Sequence, residues 1–511
     1  MMLASETTIL EHAALSTRRR VRRRDEGHAK VVGIVGAGFS GTMAAIHLRR
    51  ALPPDWVVVL FDRSGRFARG PAYAETGAPH LLNVRSANMS ALPDDPGHFE
   101  RWLASQAGRW PGEVQVTEAG TFASRRLYGR YLRALLYDEM TLSGGRVRLC
   151  SDDVTGLDPQ GNGWRIICAS GRTVAGAAVV IASGTLPSSR PCDGVVFHDP
   201  WAAAATAGLR PGEPVLIVGT GLTMVDLVLA MQARGFDGPV IALSRRGLVP
   251  KRHTPPSPTW PCPPFDAGER RSLSALLQAV RRRAREAAAQ GVDWPAVVDG
   301  MRPVTAGLWQ DLPQAERSRF LRHLRPYWDV HRHRMAPVVA EAFDGLLARG
   351  SLHLKRGRVL AIAPHGGPSG SAARVVVQDR GVSCTEEVVV QRIIYATGIG
   401  GGAAADGLVA QLASTGLAQT DPHGMGVEVT SSLQVIRRDD SPAPGLWALG
   451  PIVRGVFWEC TAVPDIRVQA HTVAQEATRA VLEAVTAQLP IPATPSDAWR
   501  IDTPEHAAPV M

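Results

Sequence analysis

The stretch VVGIVGAGFSG, residues 31–41, sets the frame for the whole chain. Val31 to Val35 is a short apolar run with the character of a buried parallel strand. Gly36, Gly38 and Gly41 then complete a G-x-G-x-x-G turn. The first glycine permits the tight bend, the second lets the backbone approach a pyrophosphate, and the third lets the following helix pack close to the strand. Ala44, Ala45 and Leu48 continue that helix, and Pro53-Pro54 stops it. A second apolar run, Trp56 to Phe61, ends at Asp62, 21 residues after Gly41, where a carboxylate can hold ribose hydroxyls. Strand, glycine turn, helix, strand and acid together read as a dinucleotide seat.

The chain carries a second version, VLIVGTGLTMVD at 215–226. Gly219 and Gly221 fill the first two glycine positions, and Met224 takes the third, which should hold the helix slightly off the strand. The next strand, Pro239 to Leu243, ends in Ser244-Arg245-Arg246 rather than in an acid. A carboxylate there would repel a 2′-phosphate, whereas arginines and a hydroxyl would hold one. The segments after the two seats also match. RVRLC (146–150), WRIIC (164–168) and VVIASG (179–184) come after the first; SLHLK (351–355), RVVVQ (374–378) and RIIYATG (392–398) come after the second. Each unit reads as a glycine turn, a meander and a returning strand closed by Ala-Ser/Thr-Gly, small residues where the backbone passes cofactor or crosses between domains. In the second unit these are Thr397 and Gly398.

The 511 residues suffice for two or three domains. Lys and Arg outnumber Asp and Glu by 56 to 47, and no basic face with interleaved aromatics stands out, so nucleic-acid binding is not indicated. STRRRVRRR (16–24) is followed by DEGHAK instead of an apolar segment, which excludes a twin-arginine export signal and makes residues 1–30 a disordered basic tail. The four glycines, Ser40, Thr42 and His47 within residues 31–48 argue against a transmembrane helix. None of the six cysteines forms a CxxC pair, so neither zinc nor a redox dithiol is suggested, and a cytoplasmic location is the expectation.

Two seats suit a resident redox cofactor and a transient electron donor. Asp62 suits the unphosphorylated ribose of FAD, and Arg245 with Arg246 suits NADPH. The sequence resembles the two-dinucleotide-domain flavoproteins, which include glutathione-reductase-like enzymes and the class B flavin monooxygenases. Within that group it is most similar to a bacterial family of FAD/NAD(P)-binding proteins related to the monooxygenase branch. The resemblance spans about residues 31–480. It rests on GAGFSG, GPAY (70–73), HLLNVRSANMSALPDDPGHF (80–99), RRLYGRYL (125–132), GTGLTMVD, WDVHRHRMAP (328–337) and GLWALGPIVRGVFWECTAVPDIR (445–467).

The resemblance implies an α/β fold with two Rossmann-like domains and a helical insert. Its expected layout is a discontinuous FAD-binding domain (31–200 and 385–490), an NADPH-binding domain (205–384) with the insert at about 266–348, and a flexible tail from 491. It implies a monooxygenase that uses O2 and a flavin C4a-hydroperoxide to oxygenate a small soft nucleophile, amines foremost. A flavin reductase or dehydrogenase without a stable peroxide, and a non-catalytic redox sensor or binding protein, are the alternatives. Two departures matter. PCDGVVFHDPW (191–201) fits GxxxH through Gly194 and His198 but does not complete the Baeyer–Villiger pattern FxGxxxHxxxW. The Gly-Asp whose carboxylate binds the ribityl chain in many relatives is Gly450-Pro451 here, with Glu459 as a candidate replacement. Asn83, Trp458 and Glu459 are expected near the flavin ring. A helix from about Asp465 should aim its N-terminus there, where negative charge develops on reduction. In the insert, Leu273, Leu276, Leu277 and Val280 mark one amphipathic helix and Val338, Ala342, Phe343 and Leu346 another. His331 and His333 lack a third ligand at metal spacing, so no metal is expected.

Overall fold

The structure, a computed structural model, describes residues 30–487 apart from 75–79, 186–193, 257, 259, 367–371, 383 and 399–406. Cys192 of the linker pattern therefore lies outside the described residues, as do the N-terminal arginine run and the C-terminal tail.

Two sheets organise the chain. The first has six strands in the order Gln434–Ile436, Pro442–Ala448, Ala178–Ile181, Val31–Val35, Val57–Phe61 and Val147–Cys150, parallel except for the first pair. The second has seven, in the order Val196–Phe197, Arg392–Tyr395, Val215–Val218, Val240–Ser244, Leu352–His365, Ala372–Asp379 and Thr385–Val390. In both, the returning strand lies on one side of the glycine-turn strand and the next two strands of the same sheet, taken in chain order, lie on the other. The local bonds repeat as well. Gly36 N donates to Phe61 O and Gly219 N to Leu243 O; Ala182 N donates to Val35 O and Ala396 N to Val218 O.

The meander takes a different form in each unit. After the first seat it is a separate three-stranded sheet, Val154–Gln160, Gly163–Cys168 and Thr173–Gly176. After the second it joins the main sheet, because Leu352–His365 pairs parallel with Val240–Ser244 over its first residues and antiparallel with Ala372–Asp379 beyond Gly357.

Three expected boundaries move. Val196–Phe197 is the edge strand of the second sheet, so the opening stretch of the first domain ends before it and not at 200. Thr385–Val390 and Arg392–Tyr395 belong to the second sheet, so the chain returns to the first domain past Tyr395 and not at 385. The insert also ends before 348. Helix Pro337–Ala348 is the crossover of the second Rossmann unit, and its Ala340, Phe343 and Leu346 enter the core beneath Val215 and Ile217. Ala342, expected on that stripe, faces solvent, because the buried row is Pro337, Ala340, Phe343 and Leu346. The insert proper is a set of helices from Ala267–Arg270 to Arg325–Arg332, the longest of them Leu273–Ala289. The main core lies around the first sheet, where helices Phe39–Ala51 and Val463–Thr486 pack together.

Candidate functional site

The first seat is shaped by positions that admit no side chain. Gly36 has φ +101°, and a Cβ on it would run into the Ala182 carbonyl; one on Gly41 would run into the Gly36 carbonyl. Gly38 faces Gly70 of the GPAY segment backbone to backbone, a Cβ on Gly38 lying 3.7 Å from the Gly70 Cα. Helix Phe39–Ala51 starts at Gly38 with no side-chain cap, so its first amides are left for a ligand. Asp62 closes the second strand and accepts three bonds, from Ala37 N at 3.2 Å, Ser64 N at 2.9 Å and Ser64 Oγ at 2.6 Å. A carboxylate accepts about four hydrogen bonds, so Asp62 keeps room for a ribose hydroxyl. These residues fit a dinucleotide.

The second seat repeats the shape. Gly219 has φ +125°, and a Cβ on it would meet the Ala396 carbonyl; around Gly221 there is open space. Met224, at the third glycine position, is fully buried. Ser244 is used by the turn itself, accepting from Thr220 Oγ1 at 2.8 Å and from Gly247 N at 3.0 Å. The two arginines after it open onto a cavity of about 630 Å³, which Arg322, His323, Arg358 and Arg380 also line, with Asp379 the acid among them. Arg246 Nη2 donates to the His323 carbonyl at 3.1 Å, and its guanidinium lies 5.3 Å from the Tyr327 ring centre. Sequence reasoning misses Arg322, Arg358 and Arg380. They come from the insert and the meander, and no local spacing ties them to Arg245.

Where the two domains and the insert meet, the sequence-predicted residues have definite partners. The Asn83 carbonyl accepts from His253 Nε2 at 3.0 Å. Burial, partly offset by that bond, pulls the His253 pKa down to about 4, so its ring is neutral and its Nδ1 is buried without a partner. Asp226, on the second glycine-turn helix, pairs with Arg125 at 3.0 Å and lies 3.7 Å from His80, both in the first domain. Trp458 is buried and stacks on Trp309 of the insert at 4.9 Å between centroids.

Glu459 has both oxygens engaged by the insert: Trp328 Nε1 donates at 2.8 Å and Arg332 Nε at 3.0 Å. Burial pushes its carboxyl up, but Arg332, His333 and the Trp328 bond outweigh this and hold it below the usual range. Glu459 thus ties the insert to the first domain instead of standing free beside Pro451. Gly450, with φ +77°, lies against Ser40 of the first seat, and its N–H donates to Gln469 Oε1 at 2.9 Å. Helix Val463–Thr486 comes next, and Asp465 in its first turn pairs with Arg302 at 2.9 Å.

Gly398, φ +78°, ends the second returning strand beside Arg325. His198 stacks on Tyr395 at 4.6 Å. At the start of helix Arg125–Leu142, Arg126 pairs with Glu113, Tyr128 is buried, and Arg130 stacks on Trp110 at 3.6 Å. Among the described residues no group of His, Cys, Asp or Glu is arranged to hold a metal, and no helix is long and apolar enough to cross a membrane.

Two glycine-turn seats on two like-ordered sheets, joined through a helical insert, define the architecture of the two-dinucleotide-binding-domain flavoproteins. Residues 33–186 match the model of a family described as FAD-NAD(P)-binding. Solved structures share the fold over nearly the whole chain. The reduced form of an ornithine hydroxylase from Pseudomonas aeruginosa superposes with a TM-score of 0.60 at 16% identity, covering 89% of this chain and 100% of that one. An L-lysine 6-monooxygenase from Pseudomonas syringae gives 0.59 at 17% identity, over 89% and 100%. The ornithine N-hydroxylase of Kutzneria sp. 744, with reduced FAD, NADP+ and L-ornithine, gives 0.58 at 14% identity, over 88% and 99%. No curated protein matches the sequence.

Proposed function

We propose that the chain is an FAD- and NADPH-dependent oxidoreductase that works as a monooxygenase on a small soft nucleophile, amines foremost. The observation that carries the coenzyme choice is the arginine-lined cavity at Arg245 and Arg246, which places several guanidiniums where an NADH seat would carry an acid. Gly36, Gly38, Gly41 and Asp62 would hold FAD; Gly219, Gly221, Arg245 and Arg246 would hold NADPH, with Thr397, Gly398 and Gly450 lining the crossings between the seats. When bound, FAD would accept a hydride from NADPH and deliver the electrons to O2.

The chain's own part is binding, orientation and exclusion of water. Trp309 and Phe320 of the insert pack on Trp458 and so cover the loop after Gly450 with apolar surface. Oxygen transfer, in preference to disulfide reduction, is supported by the lack of a CxxC pair. Cys460, on the loop after Gly450, is buried and its thiol is pushed up by burial, far from a reactive thiolate. The likeness in fold to N-hydroxylating enzymes supports an amine as acceptor.

The test is product accounting. FAD-loaded protein is reduced with NADPH without air, then mixed with O2 and a panel of amines. Hydroxylated amine formed in proportion to NADPH consumed supports the reading. Electrons recovered only as hydrogen peroxide with every amine would make the chain an NAD(P)H-dependent flavin reductase, and no reduction by NADPH would overturn both.

A further inference from the structure

Four arginines gather where the insert meets the loop after Gly450, and three carboxylates face them. Arg302 pairs with Asp465 at 2.9 Å, Arg332 with Glu459 at 3.0 Å, and Arg325 with Asp329 at 3.3 Å. The fourth, Arg454, is only 6% exposed, and no carboxylate pairs with it among the described residues. Its Nε is sealed from solvent with no hydrogen-bond partner; its two terminal nitrogens have no partner either but are not sealed. Its guanidinium lies 4.4 Å from the centre of the Trp458 ring, and that of Arg325 lies 5.9 Å from the same ring. Burial, then the like charge of Arg325, pulls the Arg454 pKa down. A cation kept this deep and beside a second cation has no directly paired counter-anion: Glu459 is engaged on both oxygens, and Asp329, which offsets the charge in part, bonds Arg325 through one oxygen while its Oδ1 is buried without a partner.

The position is central. Arg454 comes shortly after Gly450, which touches Ser40 of the first seat, and Arg325 reaches Gly398 at the end of the second returning strand. In the proposed reading the phosphates of both dinucleotides have their own provisions, the two glycine turns for the pyrophosphates and the Arg245–Arg246 cavity for the 2′-phosphate. We propose that Arg454, backed by Trp458 and flanked by Arg325, binds a carboxylate of the substrate, so that the substrate is a small organic anion whose apolar part meets the Trp458 face. This rests on the reading of the chain as a small-molecule oxidoreductase.

Calorimetric titration of the FAD-loaded protein with benzoate, and with neutral benzamide as its match in shape, tests the assignment. Benzoate should bind and benzamide should not. Arg454→Gln should weaken benzoate at least tenfold while FAD content and NADPH binding stay as in the native chain. Arg454→Lys, which keeps the charge but loses the fork, should weaken it only severalfold, and serves if the glutamine variant does not fold. Equal binding of benzoate and benzamide, no binding of benzoate, or unchanged benzoate binding by both variants would overturn the proposal. Loss of FAD or of NADPH affinity with benzoate binding intact would assign the guanidinium to a cofactor phosphate and also overturn it. Benzoate binding that depends on Arg454 in a protein whose flavin NADPH cannot reduce would leave the anion site standing and refute the proposed reaction instead.

Discussion

Replacing Arg245 and Arg246 together by Ala removes two of the guanidiniums that line the cavity after Ser244. Arg246 is partly buried, and its Nε is sealed without a partner, so a phosphate oxygen there would meet a desolvated donor. A charge-assisted bond in that setting contributes about 1.5–2 kcal/mol. Arg245 is exposed and screened by solvent, which cuts its share to about 0.5–1 kcal/mol. The sum, about 2–3 kcal/mol, is roughly a 30- to 150-fold loss of affinity. Arg322, Arg358 and Arg380 remain to hold part of the charge and keep the loss at this scale. Initial rates of anaerobic flavin reduction against NADPH and NADH concentration give the half-saturation values. NADPH should move by that factor and NADH by about threefold or less, since NADH has no 2′-phosphate to lose. Equal shifts for the two coenzymes would refute the phosphate role.

The same geometry sets other outcomes. Gly36→Ala forces a methyl into the Ala182 carbonyl at φ +101°, so the protein should purify without yellow flavin; full FAD occupancy would refute the seat. Asp226→Ala strips Arg125 and His80 of their partner across the two domains. Breaking a pair this enclosed should lower stability by about 2 kcal/mol in denaturant titration, and a change under about 0.5 kcal/mol would show the latch to be idle. His47 is buried, and burial with the nearby His471 lowers its pKa from 6.5 to about 4. The unfolded chain therefore takes up this proton first as pH falls, so stability present above pH 6.5 drains away between 6.5 and 4, by up to about 3 kcal/mol. His47→Gln should lessen the slope of that stretch without abolishing it, since buried His253 is shifted over the same range; an unaltered pH profile would place the acid sensitivity elsewhere.

Much of the fold is legible in the sequence because its signals are local. Each seat is declared within about thirty residues by a strand, spaced glycines and the end of the next strand, and the repeat makes the second easier to read after the first. Pairing at long range escapes such reading. Nothing in Val195 to Phe197 says that it lies beside Arg392 to Tyr395, so the sequence draws the second domain about ten residues short at each end. The stripe at Val338 to Leu346 is helical as expected, but periodicity does not say which core a helix serves, and this one serves the Rossmann sheet. Arg245 and Arg246 are visible as a departure from the acid, whereas Arg358 and Arg380 reach the same cavity only because the meander folds back over it. Trp458 and Glu459 are neighbours of Gly450 in the chain, but their partners Trp309, Trp328 and Arg332 lie more than a hundred residues away in sequence.

The helix Arg325–Arg332 and the wide turn Phe320–Leu324 before it form a single strut. One end is held at His323 by Arg246, at the arginine-lined cavity, and the other at Trp328 and Arg332 by Glu459, on the loop beside the first seat. A displacement at either grip must be taken up by the strut, and the wide turn is its most yielding joint. In the proposed enzyme, a coenzyme settling against Arg246 would press on the same strut that Glu459 grips, so the two seats would be linked mechanically instead of acting independently.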